Sequence, residues 1–224
     1  GATDASTILS YALNVDVGGD QGNFAGGSDT IRIDTDSQRI NPQNGQRVRG
    51  LASATLTRNY FLTDIPFDDY NTELITINRG PNALLFGVGS PGGVIDNSTK
   101  RAVIGNDFGS VSVRFGERSS HRATVDFNRE LIEGRLAVRV SALNQENNFQ
   151  QKPAFEISKR EYAAFESVLF KGQESGIFGR TLFSGNIEEG SIHGTPVNVI
   201  PQTDGLTSWF STPDPALQNQ PGVR

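Results

Sequence analysis

Cysteine is absent from the 224 residues, which excludes a disulfide framework, a thiolate metal site and a cysteine nucleophile. No run approaches the ~18 consecutive apolar residues of a membrane-spanning helix. A transmembrane β-barrel stays open, because barrel strands hide their hydrophobicity in alternation. Apolar residues make up only 35% of the chain, low for an enzyme with a deep core. An excess of positive charge is also missing. The net charge is −5 with acids and bases interleaved, so a basic nucleic-acid-binding face is excluded as the organising feature. No serine, histidine or carboxylate constellation points to catalysis or to a cofactor, and the expectation is a non-enzyme. Neither end reads as native. Gly1 has no charged-then-apolar leader before it, and Arg224 lies in a Pro/Gln/Asn-rich stretch that starts at Ser211.

Glycine is what the chain has in abundance, with 25 residues, alongside many Asn, Gln, Ser and Thr. That balance suits strands joined by turns. The segment 3–14 predicts a helix capped by Thr3 or Asp4, with Ile8, Leu9, Ala12 and Leu13 on one face. Short strands are predicted over 30–35, 46–51, 60–65 and 73–78, with a helical or irregular stretch over 82–86 and a glycine loop over 87–93. From about residue 109 the texture changes to strict alternation. Val111, Val113 and Phe115 share one face; Ala123, Val125 and Phe127 share the next; Leu136, Val138, Val140 and Ala142 the third. Arg114, Arg122, Asp126 and Arg139 fall on the opposite faces. Two further strands are predicted over about 160–170 and 177–188. In a soluble sheet this pattern means core inside and water outside. In an outer-membrane barrel it means lipid outside and a polar lumen. Periodicity alone does not separate the two.

Several local signals resolve as turns. Gly87 to Gly92 has the form G-x-G-x-x-G, with Asp107 at a suitable distance, but Pro91 and the strand-like Val94-Ile95 deny it the following helix that a nucleotide loop needs. Asp34-Thr35-Asp36 opens like a calcium loop without its glycine or closing Glu. Asp68-Asp69 beside Tyr70 could take a cation, though a solvated loop is the preferred reading. His121 and His193 read as surface residues, and Trp209 and Phe210 as loop packing.

Residues 60–101 carry a stronger signal. Asp64 and Pro66, then Glu73 with Ile75 and Ile77, then Arg79-Gly80-Pro81, Phe86-Gly87, Gly92-Gly93-Val94-Ile95 and Thr99-Lys100-Arg101 stand in one order. That order resembles the plug signature of TonB-dependent outer-membrane receptors. Upstream, Arg47 to Leu51 is similar to the Ile-Arg-Gly segment of that family. The resemblance implies an α+β plug domain over residues 1–108 followed by antiparallel transmembrane β-barrel strands over 109–224, an incomplete barrel. In the family, charges on the acidic strand and the Arg-Gly-Pro turn help to lock plug to barrel. Here the implied locking and signature residues are Glu73, Arg79, Gly80, Pro81, Gly92 and Gly93. Thr76 stands where the family usually has a second acid, Leu74 where it has a base, and Asp96-Asn97-Ser98 replaces Asn-Ile-Ile.

The resemblance further implies energy-dependent uptake of a scarce solute across a Gram-negative outer membrane. The implied substrate classes are a siderophore-metal chelate, cobalamin or an oligosaccharide. Implied partners are TonB with its inner-membrane energising complex, the solute and outer-membrane lipid; the TonB box is expected before Gly1. Expected turns are Glu117–Ser120 outside and Glu133-Gly134 in the periplasm, with external loops over Gln145–Lys159 and Ser191–Arg224 and a periplasmic turn over Gly172–Gly176. Two alternatives are a soluble β-rich binding or adhesion module and a signalling receptor of the same family.

Overall fold

The structure, a computed structural model, describes residues 3, 5–17, 46–48, 54–80, 90–170 and 180–195. The strand expected over 30–35, residues 49–51, the stretch 82–86, Pro81, Gly172–Gly176, Trp209 and Phe210 lie outside the described residues. No helix among the described residues is long and apolar enough to cross a membrane.

The chain opens with one short helix, α1 (Ala5–Ser10), and β1 (Val15–Val17). The helix is shorter than its apolar spacing predicts. The Ser10 hydroxyl donates to the Thr7 carbonyl at 2.7 Å, and Asn14 adopts a left-handed φ of 59°, so the chain turns before Leu13 can join the buried face. β1 pairs antiparallel with β2 (Gln46–Val48). A mixed sheet follows, built from β3 (Thr55–Arg58), β4 (Phe61–Leu62), β5 (Thr72–Asn78) and β6 (Val94–Thr99) in the order β4-β3-β6-β5. The predicted 60–65 strand shrinks to two residues. β3 and β6 run parallel, and the other pairs are antiparallel. Alternation along these strands puts Ala54, Leu56, Ile75, Ile77 and Ile95 on one face, where Leu9, Val15, Val48 and Phe67 close the core.

The opposite face holds Asp96, which is fully buried. It accepts the Thr57 hydroxyl at 2.7 Å, the Ser98 hydroxyl at 3.1 Å and the Tyr60 amide at 2.6 Å. The polar exit strand thereby fastens the β3–β4 turn, in which Asn59 and Tyr60 both take positive φ (49° and 67°). A two-residue hairpin needs that conformation and non-glycine residues adopt it at a cost.

A second sheet is a five-stranded antiparallel meander: β7 (Phe108–Phe115), β8 (His121–Ile132), β9 (Leu136–Asn148), β10 (Phe155–Phe170) and β11 (Thr181–Thr195), each hydrogen-bonded to the next. The expected external loop over 145–159 is a correction. Strands continue to Asn148 and resume at Phe155, and β11 runs on to Thr195. Polar residues occupy both faces there, so hydropathy falls silent while the backbone ladder goes on.

The ladder register assigns every side chain to a face. Arg122, Asp126 and Asn128 on β8 lie opposite Gln145, Ser141 and Arg139 on β9. Ser141 in turn faces Tyr162, and Tyr162 faces Glu188. These residues look toward the mixed sheet. The other face carries Val111, Val113, Phe127, Val140, Phe183 and Ile187, all exposed. Its apolar band crosses the sheet obliquely. Straight across the ladder, Ser112 leads through Thr124, Leu143 and Arg160 to Gly190, yet the apolar stretch of β11 centres near Gly185. A slip of roughly five residues over four strand steps, at ~3.3 Å per residue and ~4.8 Å per strand, gives an obliquity of about 40°, within the tilt of barrel strands in a membrane.

Candidate functional site

Between the mixed sheet and the polar face of the meander lies a layer of buried charge. It begins with a turn. The Asp68 carboxylate accepts the Tyr70 amide at 2.9 Å and the Asp68 carbonyl accepts the Thr72 hydroxyl at 2.6 Å, an Asx-type turn that fixes the acid before any partner arrives. Arg122 of β8 then donates to both Asp68 oxygens, at 3.0 and 2.6 Å, and also to Asp69 and Gln145. Asp68-Asp69 is therefore neither a cation site nor a solvated loop but the partner of a wall arginine. Burial pushes the Asp69 carboxyl above its ordinary value, with Arg122 opposing. Arg160 of β10 reaches the Pro66 carbonyl at 2.6 Å, so the same loop is held by two wall strands.

Asp126 centres a second cluster. It accepts Arg139 at 2.9 and 2.8 Å, Lys100 at 2.8 Å and the Ser141 hydroxyl at 3.0 Å. The Lys100 ammonium also donates to the Tyr70 carbonyl at 2.7 Å, and the Tyr162 hydroxyl donates to the Lys100 carbonyl at 2.5 Å. Arg139 lies 5.0 Å over the Phe108 ring, donates to the Arg101 carbonyl at 3.1 Å and approaches Glu73 at 3.4 Å. A third contact ties β11 to the mixed sheet: Glu188 accepts Arg58 and, at 2.6 Å, the Tyr70 hydroxyl. Burial lowers the Arg58 guanidinium from its ordinary value and pushes the Tyr70 phenol up to about 12, so Tyr70 remains a donor at any physiological pH. Lower down, the Asn128 amide bonds the Val103 carbonyl (2.8 Å), the Val103 amide (2.9 Å) and the Asn106 carbonyl (2.5 Å), clamping the connection into β7.

Of the six residues singled out in the sequence, Pro81 lies outside the described residues, and among the other five Glu73 approaches the second sheet, opposite Arg139. Arg79 donates to the Leu13 carbonyl at 2.7 Å and so ties β5 to the segment after α1. Gly80 and Gly93 take positive φ, 93° and 104°. A Cβ at Gly93 would overlap the Asn78 carbonyl, so only glycine fits there. The Gly92 amide donates to the Ser90 hydroxyl at 3.1 Å. The residues that pair the two sheets, Asp68, Lys100, Arg122, Asp126 and Arg139, are not given that role by the sequence: Lys100 stands in the Thr99-Lys100-Arg101 motif, Asp68 in a loop read as solvated, and Arg122, Asp126 and Arg139 on the polar side of the alternation. No cluster of three metal-ligating side chains exists among the described residues.

The described residues thus form an antiparallel meander with an exposed apolar face, whose polar face holds a small mixed sheet through buried ion pairs. Solved structures carry the comparison further. The chain shares its fold with the ferripyoverdine receptor of the outer membrane of Pseudomonas aeruginosa, at TM-score 0.65 and 14% identity over 89% of this chain. It is likewise similar to the ferric preacinetobactin receptor of Acinetobacter baumannii, at TM-score 0.59 and 16% identity over 85%. The open form of the ferric-catecholate import receptor of E. coli K12 gives TM-score 0.56 and 18% identity over 65%. The chain spans 26%, 26% and 21% of those receptors' lengths, respectively. No protein-family model matches the sequence, and no curated protein matches it.

Proposed function

We propose that this chain is the plug (residues 1–108) and the opening barrel strands (109–224) of a TonB-dependent receptor in a Gram-negative outer membrane, and that the receptor imports a siderophore-bound metal. The observation that carries this reading is the inverted sheet. Its apolar residues face outward and are exposed, and its charged residues face the mixed sheet and are paired there. A soluble module would bury the first set and expose the second. In the receptor, the ion-paired layer holds the plug across the pore. TonB and its energising complex supply the pull that opens a path, and no catalytic step is involved. Many separate polar contacts suit that task, since each is broken in turn and re-formed on release.

The test is to express the whole gene product that contains this chain in a Gram-negative host. The reading expects it in the outer-membrane fraction, with iron-chelate uptake that disappears when TonB is deleted. Recovery as a soluble protein, or uptake indifferent to TonB, would sink it.

A further inference from the structure

A cleft of about 570 Å³ separates the β3–β4 hairpin from β10 and β11. The mixed sheet lines it with Arg58, Lys100 and Arg101 and with the apolar pair Phe61-Leu62; the wall side offers Ser184 and Asn186. No carboxylate lines it among the described residues. Its charges are unevenly committed. Lys100 is spent on Asp126, and Arg58 uses Nη1 on Glu188. Arg58 Nε and Nη2, though buried, make no hydrogen bond. The Arg101 side chain is exposed and makes no hydrogen bond or ion pair among the described residues. Buried guanidinium N–H groups without partners are costly, and with the uncommitted Arg101 beside them positive charge outruns negative along this cleft edge.

The apolar rim is equally deliberate. The strained Asn59-Tyr60 turn, braced by Asp96 and by Asn59–Thr99 contacts of 2.9 and 3.0 Å, holds Phe61 77% exposed at the cleft mouth. Cations, neutral donors and an exposed aromatic together match an organic anion that has an aromatic part. The register places the cleft near Ala164 and Arg139, toward the Glu133-Gly134 turn and away from residues 149–154. Under the receptor reading, that is the periplasmic half of the pore.

We infer that this cleft is a binding site for an aromatic organic anion on the exit side of the plug, with Arg101 as its charge contact and Phe61 as its stacking surface. The inference rests on the receptor reading for its place in transport, but its test does not need transport. The purified full-length receptor is titrated with 2,3-dihydroxybenzoate, an anionic catechol, and with catechol, its neutral counterpart, by saturation-transfer NMR. Arg101→Gln, which removes no hydrogen bond or ion pair among the described residues, is expected to weaken dihydroxybenzoate about fivefold and to leave catechol unchanged. Phe61→Ala is expected to weaken both. The wild-type affinity for the anion should fall with added salt. Absence of saturable binding to the wild type, or an Arg101→Gln variant that binds the anion as tightly as wild type, overturns the inference. So does equal loss of both probes in that variant. A receptor that shows TonB-dependent uptake yet fails here rejects the cleft alone, whereas a soluble, non-transporting product rejects the receptor reading.

Discussion

Asp68 is oriented by its own turn before Arg122 meets it, so the pair forms with little ordering left to do. Both side chains are buried, with 8% and 9% of their area exposed. Removing either partner leaves the other charged and dry, and each of Asp68→Ala and Arg122→Ala is expected to cost about 3 kcal/mol. The double variant should cost clearly less than the sum, because the two changes remove one interaction. Denaturant melts of the full-length receptor, followed by hydrogen exchange at the mixed sheet, give both numbers; simple additivity would show that the pair does not couple. Asp69 behaves differently. Its folded value lies above the ordinary 3.8 because burial penalises the charge. An acid with a raised folded value contributes stability that is present below its unfolded value and lost as pH rises through the folded one. Asp69→Asn should therefore flatten the decline in melting midpoint as pH climbs out of the ordinary carboxylate range. Asp68, Arg122 and Arg114 surround that carboxyl; an unchanged pH profile in the variant would show that Asp69 does not cause the decline.

At the scale of elements, two glycines separate strain from collision. Gly80 and Gly93 both have positive φ, but only Gly93 abuts another backbone group, the Asn78 carbonyl. Gly80→Ala should cost about 1 kcal/mol from conformation alone and Gly93→Ala clearly more, through displacement of the β5–β6 pairing. Protease sensitivity of the mixed sheet in the two variants ranks them; equal sensitivity would contradict the geometry. All five meander strands were legible in the sequence, because Val and Phe alternate against Ser, Arg and Asp. Strand ends were not. Asn144 to Asn147 and Lys159 to Glu161 are polar on both faces, and a hydrogen-bonded ladder outside an apolar band leaves no mark in hydropathy. The outer face supplies a prediction in which two folds disagree in sign. Val140→Lys should cost about 2 to 4 kcal/mol of folding free energy in lipid, whereas on a water-facing sheet an exposed valine is replaced almost freely. Refolding of the receptor into vesicles from urea measures it.

For the whole molecule, the architecture was readable in the order of motifs and the site mostly was not. Lys100 and Asp126, Asp68 and Arg122, and Arg58 and Glu188 are 26, 54 and 130 residues apart. Only the packing of one sheet against the other pairs them. The sequence signals at Glu73 and Arg79 are equally strong, yet Glu73, at the bulge between Thr72 and Leu74, reaches Arg139, while Arg79, just beyond the end of β5, bonds the Leu13 carbonyl. The central claim, that one face of the meander meets lipid while the other holds the plug, reduces to two adjacent residues, Val140 at 47% exposure and Ser141 at 0%. These 224 residues contain no cysteine, so Val140→Cys and Ser141→Cys can each be spin-labelled in the full-length protein in bilayers once any cysteine outside them is replaced by serine. The account predicts that the label at 140 is relaxed by oxygen dissolved in the lipid and not by a water-soluble nickel chelate. The label at 141 should be reached by neither until the plug is loosened. A label at 140 relaxed by the nickel chelate and sheltered from lipid-borne oxygen would contradict the account.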